Sequence, residues 1–363
     1  MKAELSLVVT FSSAFGFLLA GHTGFSWPHL IANFLGTICC AFAAAIGNQY
    51  REIEFDRMMP RTHKRPLVTG YFTKTDAIMY GTGLTAIGVP LLWWAARWDP
   101  VAPALGLATI FLYVCVYTPL KRRHRWNTEM GAIVGSMPVL IGWSCAVANW
   151  GADMHAQGQA LLGPVSTLDS LIWPHALFGV FVLYAWQMQH FMTIAFKEQE
   201  SYAAAGYVMM RDKAALHKGA AWVAIMALGC AAAPWFGVTS GMYLYTGALI
   251  NAGLAWYYWR WWRAMYWGDI PERKRASRDT MLAGVVWFFL TWAAVLAHAQ
   301  DNTFHLIQSH VPTRAKEAML AWCTHPKAKE MLEEMKRERE AAEAAQADEK
   351  QNDEELASAA VAL

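Results

Sequence analysis

The sequence predicts an all-α, polytopic membrane protein with about nine transmembrane helices. Of its 363 residues, 56% are hydrophobic and only 16% are charged, whereas a soluble domain usually carries about 25% charged residues. The apolar runs are long enough to cross a bilayer as helices, which takes about 20 residues each. Every second loop is basic, as the positive-inside rule predicts for a polytopic protein. These observations exclude a soluble enzyme, a disordered chain and a disulfide-stapled secreted domain.

Nine apolar segments are the predicted spans, and none of them contains Asp, Glu, Lys or Arg. The first segment is the weakest, because Glu4 flanks it and Ser12 and Ser13 interrupt it. The seventh and eighth segments are predicted to form a tight hairpin with a break near Gly237–Gly241. The predicted spans are 5–22, 29–47, 77–96, 101–119, 130–149, 173–195, 219–238, 241–259 and 281–299.

The loops between these segments alternate in charge. The loops 48–76, 120–129, 196–218 and 260–280 contain six, four, four and six Lys or Arg residues, whereas the opposite loops contain only Arg97. An odd number of helices then places the N-terminus and the basic loops together on the cytoplasmic or matrix side of the membrane.

The charge pattern also divides the chain into two predicted parts. Residues 1–300 contain all the apolar segments and are predicted to form the transmembrane domain. Residues 301–363 contain eight basic and 13 acidic side chains. This second part is predicted to be a polar, acidic tail that is partly helical or disordered.

The most informative segment follows the second predicted span. Asn48, Glu52 and Asp56 are spaced at i, i+4 and i+8, so they project from one face of a helix. Oxygen ligands one turn apart suit Mg²⁺, which binds through a few carboxylates and substrate phosphates. Together with the basic residues that follow, they indicate a diphosphate bound partly by metal and partly by cationic side chains. The alternative is a solvated loop whose charges only set the topology. The nearest basic residues are Arg57, Arg61, Lys64 and Arg65.

This segment also resembles a known signature. The run NxxxExxxD…RTxxRPLVTG, at 48–56 and 61–70, is similar to that of the protohaem IX farnesyltransferases, a branch of the UbiA-type intramembrane prenyltransferases. Further motifs follow in the order of that family, and the resemblance covers about residues 45–212. It implies a UbiA-type helical bundle and a prenyltransferase domain within residues 1–300. The further motifs are YTPLKR at 117–122, NTxxGAxxGxxPxxxGW at 127–143, WQxxHF at 186–191 and GYxMM at 206–210.

The resemblance implies a role for each matching residue. Asn48, Glu52 and Asp56 would bind Mg²⁺ and the diphosphate of farnesyl diphosphate, with Glu200 as a further metal ligand. His190 would be catalytic, through contact with haem or through proton transfer; from composition alone it is a core histidine bonded within the protein. The residues implied to bind the diphosphate are Arg57, Arg61, Lys64, Arg65, Lys121 and Arg122. Those implied to bind substrate are Tyr117, Asn127, Trp186, Gln187 and Tyr202.

Three positions depart from the family pattern. Gln189 replaces a Pro in the WQxPHF motif, which removes an expected kink near His190. Ser201 replaces an Asp of the second acidic motif, which leaves fewer carboxylates for a second metal ion. His63 stands where relatives have a Lys, and Lys64 follows it.

The implied reaction transfers a farnesyl group from farnesyl diphosphate to a vinyl group of protohaem IX and gives haem O. The implied setting is the lipid bilayer of the mitochondrial inner membrane, or of a bacterial plasma membrane, with a haem A synthase as a partner and no nucleic acid. The alternatives are a UbiA-type enzyme acting on a quinone-precursor aromatic acid, a non-catalytic haem-binding assembly protein, and a transporter. The motifs at 117–122 and 186–191 favour the haem reaction over the quinone one, and the absence of an evident internal repeat disfavours a transporter.

Overall fold

The computed structural model describes residues 3–20, 26–60, 62–156, 167–208, 210, 212–299, 329–338 and 340–341. Throughout these residues the secondary structure is helical, without a β-strand. The chain divides into two compact units, Met1–Gln300 and Asp301–Leu363. In the second unit, residues 329–338 form a helix whose side chains are mostly exposed.

Nine long helical segments make up the described part of the first unit, and each overlaps one predicted span. Short helices α3, α8 and α10 lie in the connections. The helices are α1 (Ala3–Ala20), α2 (Trp27–Met58), α3 (Pro66–Thr69), α4 (Lys74–Ala95), α5 (Val101–Phe111), α6 (Thr118–Leu120), α7 (Asn127–Ala156), α8 (Thr167–Ser170), α9 (Pro174–Lys197), α10 (Gln199–Ala204), α11 (Asp212–Ala232), α12 (Tyr243–Trp267) and α13 (Ile270–Ala299). A π-helical turn, Leu112–Tyr117, joins α5 and α6 into one rod.

Six of the nine segments are long and apolar enough to span a membrane. The other three, α1, α9 and α12, do not meet both conditions of length and apolarity over their described residues. The all-α membrane fold is therefore confirmed, whereas the count of nine spans stays a prediction. The six are Trp27–Met58, Lys74–Ala95, Val101–Leu120, Asn127–Trp150, Lys213–Ala232 and Ile270–Ala299.

Helix α2 is the element that positions the predicted metal-binding face. It begins with Pro28 in its first turn and continues for 32 residues, which is about 48 Å at 1.5 Å per residue. A hydrocarbon core is only about 30 Å thick, so one end of α2 projects beyond it. The prediction ended this span at residue 47, because the polar residues start there. The helix continues to Met58 because its backbone hydrogen bonds do not depend on that change in polarity.

The π-helical turn has a local cause in the sequence. Pro119 has no N–H group, and its ring would collide with the carbonyl four residues earlier in a regular helix. The wider turn avoids this collision. As part of the turn, the Thr118 hydroxyl donates to the Tyr113 carbonyl at 2.8 Å. This turn brings Thr118 against Asn48 of α2 and the Tyr117 ring against Gly131 of α7.

Helices α1 and α7 pack closely because small residues face each other, as is common in membrane bundles. A β-carbon on Gly142 would lie 1.7 Å from the Ser13 carbonyl oxygen and 2.8 Å from the Phe17 nitrogen. Both of these are backbone atoms, so no side-chain movement relieves the collision.

We therefore expect Gly142→Ala to separate α1 from α7 and to lower the temperature at which the chain unfolds. The measurement is the thermal midpoint of unfolding of the detergent-solubilised variant, compared with that of Gly83→Ala. Gly83 has no atom within 4 Å of its β-carbon position, so its substitution is expected to be neutral. Equal midpoints for the two variants would contradict the close packing.

Helix α9 lies in the interior of the bundle, between α7, α11 and α13. Its buried residues form the apolar core together with large side chains from α7, α12 and α13. The fully buried aromatic side chains of this core include Trp143, Trp261, Trp287, Phe288 and Trp292.

Candidate active site

The predicted metal-binding face of α2 is buried inside the bundle. Asn48, Glu52 and Asp56 are 0%, 4% and 2% exposed. Two buried carboxylates one turn apart repel each other unless cations lie beside them. The structure places one cationic side chain against each of them.

Lys121 is the cation beside Glu52. Its ammonium donates to Glu52 Oε1 at 2.9 Å and lies 4.6 Å from the centre of the Tyr117 ring. Burial alone would lower the pKa of Lys121, but its contacts with Tyr117 and Glu52 raise that pKa well above the usual value. The ammonium therefore stays charged within the bundle.

Arg65 is the cation beside Asp56. Its guanidinium Nη1 donates to Asp56 Oδ2. The chain reaches this position because the Thr62 hydroxyl donates to the Asp56 carbonyl at 2.9 Å, which turns the segment after α2 back over the end of that helix. Arg61, which was predicted to act beside Arg65, lies outside the described residues.

Asn48 and Asn127 connect α2 and α7 to the loops around the carboxylates. The Asn48 amide donates to the Thr118 hydroxyl at 3.0 Å. The Asn127 amide donates to the carbonyls of His124 and Val208 at 2.8 and 2.7 Å. The backbone N–H of Val208 donates to the Lys121 carbonyl at 2.9 Å. These bonds attach the segment after α10 to the turn that carries Lys121.

Tyr207, in that attached segment, is a site residue that the predicted set did not include. It is 4% exposed and packs against Phe55 and Tyr202, with ring centres 6.2 and 5.7 Å away. Burial and the nearby Glu52 carboxylate raise the pKa of Tyr207, so its hydroxyl remains a hydrogen-bond donor. The GYxMM motif was the signal that could have identified it.

The WQxxHF motif lies on α9, which continues unbroken from Pro174 to Lys197. The Trp186 indole donates to the Gly284 carbonyl at 2.7 Å and stacks on the His190 ring at 4.9 Å. On the other side of α9, Gln187 fills the space above Gly135, where a β-carbon would lie 1.9 Å from the Gln187 Oε1. Trp186 and His190 therefore face α13, and Gln187 faces α7.

Several predicted residues lie away from the carboxylates. Arg57 is exposed and pairs with exposed Glu54 at 3.3 Å, because adjacent residues on a helix point about 100° apart. Lys64 is also exposed. The Arg122 guanidinium lies 4.0 Å from the centre of the Phe55 ring, so it stacks over the site rather than binding a carboxylate.

Glu200 is not brought together with Glu52 and Asp56. Its side chain is exposed in the first turn of α10, because α9 ends at Lys197 and the chain changes direction there. Among the described residues no group of three or more His, Cys, Asp or Glu side chains could hold a metal ion. The ligand role of Glu200 therefore stays a prediction that this geometry does not support.

The remaining donors do fit Mg²⁺. Asn48, Glu52 and Asp56 provide hard oxygen atoms from three successive turns of one buried face. Magnesium is usually bound by one or two carboxylates, with phosphate and water oxygens completing its shell. Lys121 and Arg65 add two positive charges beside the same carboxylates. This set of charges suits a magnesium diphosphate.

The sequence pattern of the UbiA prenyltransferase family matches residues 8–270. The chain belongs to this family. Its fold agrees with solved structures of other family members: a UbiA homologue from Aeropyrum pernix has a TM-score of 0.61 at 17% identity over 80% of this chain and 97% of that one. A UbiA homologue from Archaeoglobus fulgidus, bound to DMAPP and Mg²⁺, has a TM-score of 0.54 at 14% identity over 80% and 95%. These likenesses confirm the predicted helical bundle.

Curated relatives of this UbiA-family chain carry a more specific name. The Homo sapiens protein named mitochondrial protohaem IX farnesyltransferase is 36% identical to this chain, over 58% of this chain and 42% of that protein. The Arabidopsis thaliana protein of the same name is 35% identical, over 70% of this chain and 55% of that protein. The one from Debaryomyces hansenii is 31% identical, over 80% of this chain and 59% of that protein. The chain thus spans about half the length of the curated relatives it matches.

Proposed function

We propose that this chain transfers a farnesyl group from farnesyl diphosphate to a vinyl group of protohaem IX and so makes haem O. The observation that carries the proposal is the buried set of two carboxylates and two cations, Glu52 with Lys121 and Asp56 with Arg65. This set suits a magnesium diphosphate, and the names of the curated relatives favour farnesyl transfer to haem. We place the enzyme in the mitochondrial inner membrane, with its basic loops on the matrix side and a haem A synthase as the partner that uses its product.

The chemistry at α2 is the departure of diphosphate. Asn48, Glu52 and Asp56 would hold Mg²⁺, which when bound supplies positive charge that neutralises the leaving diphosphate. Lys121 and Arg65 already lie beside the carboxylates and would donate their remaining N–H groups to the diphosphate oxygens. Positive groups already in place at a buried site stabilise developing negative charge most strongly.

The carbon–carbon bond between the farnesyl group and haem forms in the apolar interior of the bundle. Breaking the C–O bond of farnesyl diphosphate leaves an allylic cation, which the terminal carbon of the haem vinyl group attacks. Tyr117, Tyr202 and Asn127 line the diphosphate end of this path, and Trp186, Gln187 and His190 lie on α9, the helix that faces both α7 and α13. Aromatic walls exclude water from the first cation, which water would otherwise capture.

A haem extraction tests the proposal. The chain is expressed in a host that lacks its own haem O synthase, and the extracted haems are separated by reversed-phase chromatography and identified by mass. A new, more hydrophobic haem with a hydroxyethylfarnesyl group is the expected product. If only protohaem is found, although the protein is folded in the membrane, the proposal fails in favour of a quinone-precursor or a non-catalytic haem-binding role.

A further inference from the structure

Gln189 is a buried amide that the functions above do not use. Its side chain is fully buried in α9, and neither its Oε1 nor its Nε2 has a hydrogen-bond partner among the described residues. His190 Nδ1, on the next residue, is also buried and lacks a partner there. Buried polar groups in native proteins are almost always hydrogen-bonded, often to an internal water. Three such atoms in one place indicate a polar ligand.

Two of these atoms, Gln189 Oε1 and His190 Nδ1, lie beside Gly284 of α13. The position of a β-carbon on Gly284 would be 3.1 Å from Gln189 Oε1, 3.6 Å from Trp186 Nε1 and 3.9 Å from His190 Nδ1. Trp186 Nε1 already donates to the Gly284 carbonyl, so Gln189 Oε1 and His190 Nδ1 are the polar atoms here that lack a partner among the described residues. We call the place where they meet Gly284, between α9 and α13, the niche.

The His190 ring packs against Trp186 beside this niche. Trp186 donates to the Gly284 carbonyl at 2.7 Å, and its ring stacks on the imidazole at an angle of 19°. The Thr193 hydroxyl donates to the His190 carbonyl at 2.6 Å. His190 Nδ1 and the Gln189 amide border the same niche, and the amide offers both a donor and an acceptor.

We propose that Gln189, His190 and Gly284 form a water-binding site that supplies the hydroxyl oxygen of the product, an inference that rests on the proposed farnesyl transfer. The new C–C bond forms between the farnesyl C1 and the terminal vinyl carbon as diphosphate leaves, and the positive charge moves to the adjacent vinyl carbon. A lone pair of the bound water forms the C–O bond to that carbon. The released proton goes to His190 Nδ1, and no oxidant or reductant is needed. Gln189 is a positioning residue that holds the water.

The test compares two products of the same cation. Capture by water gives the hydroxylated haem, whereas loss of a neighbouring proton gives an alkene that is lighter by one water. With purified full-length chain in lipid nanodiscs, farnesyl diphosphate and protohaem, we expect Gln189→Leu to raise the alkene-to-alcohol ratio at least about tenfold. Total farnesylation is expected to stay within about threefold of the wild type, because diphosphate departure does not use this niche.

Thr193→Val is the matched control, since it removes a buried polar group one turn along α9 that is already bonded within its own helix. Its product ratio is expected to match the wild type. Gly284→Ala, which fills the niche from α13, is the second variant and is expected to shift the ratio as Gln189→Leu does, even if Gln189→Leu fails to fold. An unchanged ratio in a folded, active Gln189→Leu or Gly284→Ala variant overturns the proposal.

A second measurement does not depend on turnover. A high-resolution structure of the wild type is expected to show a water within hydrogen-bond distance of both Gln189 and His190, and the Gln189→Leu structure is expected to lack it. Absence of that water from the wild type overturns the site. Wild-type protein that forms no farnesylated haem at all would instead show that the proposed function is wrong, and the catalytic role of the water would fail with it.

Discussion

Glu52→Gln is expected to lower the turnover of farnesyl diphosphate by at least about 10³-fold. The substitution keeps the size of the side chain but removes a negative charge from the proposed metal-binding face. It also leaves Lys121, 2.9 Å away, without its anionic partner. The measurement is the rate of inorganic diphosphate release by the purified chain at saturating Mg²⁺ and substrates, with haem binding followed separately by its absorption spectrum.

Glu54→Gln is the matched control for this variant. Glu54 lies on the same helix two residues later, but its side chain is 71% exposed and pairs with Arg57 on the surface. Its substitution is expected to leave turnover unchanged, and haem binding is expected to persist in both variants. Asp56→Asn is expected to behave like Glu52→Gln. If both carboxylate variants release diphosphate at the wild-type rate, these residues do not hold the metal.

Lys121→Met is expected to lower turnover by about 10²–10³-fold, because the leaving diphosphate loses a charge that is already in position. It is also expected to destabilise the fold by about 3–5 kcal/mol, since the Glu52 carboxylate would remain buried without a cation. Turnover is measured as for Glu52→Gln, and stability is measured by thermal unfolding in detergent. Arg123→Met, which removes an exposed cation two residues later, is expected to change neither quantity.

The double variant Glu52→Gln/Lys121→Met separates the structural role of this pair from its catalytic role. Removing both charges leaves no buried ion unpaired, so stability is expected to recover most of the loss. Turnover is expected to remain as low as in the worse single variant. Recovery of turnover along with stability would indicate that the pair only holds the bundle together.

The sequence alone predicts which residues form the buried face of α2, because residues spaced four apart on a helix project from the same face. Asn48, Glu52 and Asp56 lie where that spacing predicted. The positions of Lys121 and Arg65 against two of them depend on long-range packing, and the sequence indicated only that these residues belong to basic motifs. The same limit explains Arg57 and Lys64, which are close to Asp56 in sequence but point away from it.

Other features could not be predicted because they depend on which residues of a neighbouring helix pack against them. In the sequence, nothing distinguishes Gly142 from the other glycines of the predicted spans. Its importance appears only in the structure, where the Ser13 carbonyl oxygen lies 1.7 Å from its β-carbon position. The sequence indicates only that Gln189 removes a kink, whereas the structure shows a buried amide beside His190 and Gly284. Glu200 was assigned by its position in a motif, and the turn after α9 leaves it exposed.

We propose above that the carboxylates and cations at the end of α2 bind a magnesium diphosphate whose farnesyl group goes to haem. The most direct measurement follows ¹⁴C-farnesyl diphosphate with the purified chain, protohaem and Mg²⁺ in nanodiscs. We expect the label to appear in haem in equal amount to the diphosphate released, and both to stop on chelation of Mg²⁺ or in Glu52→Gln. Label transfer that continues in Glu52→Gln, or diphosphate release without labelled haem, would contradict the account.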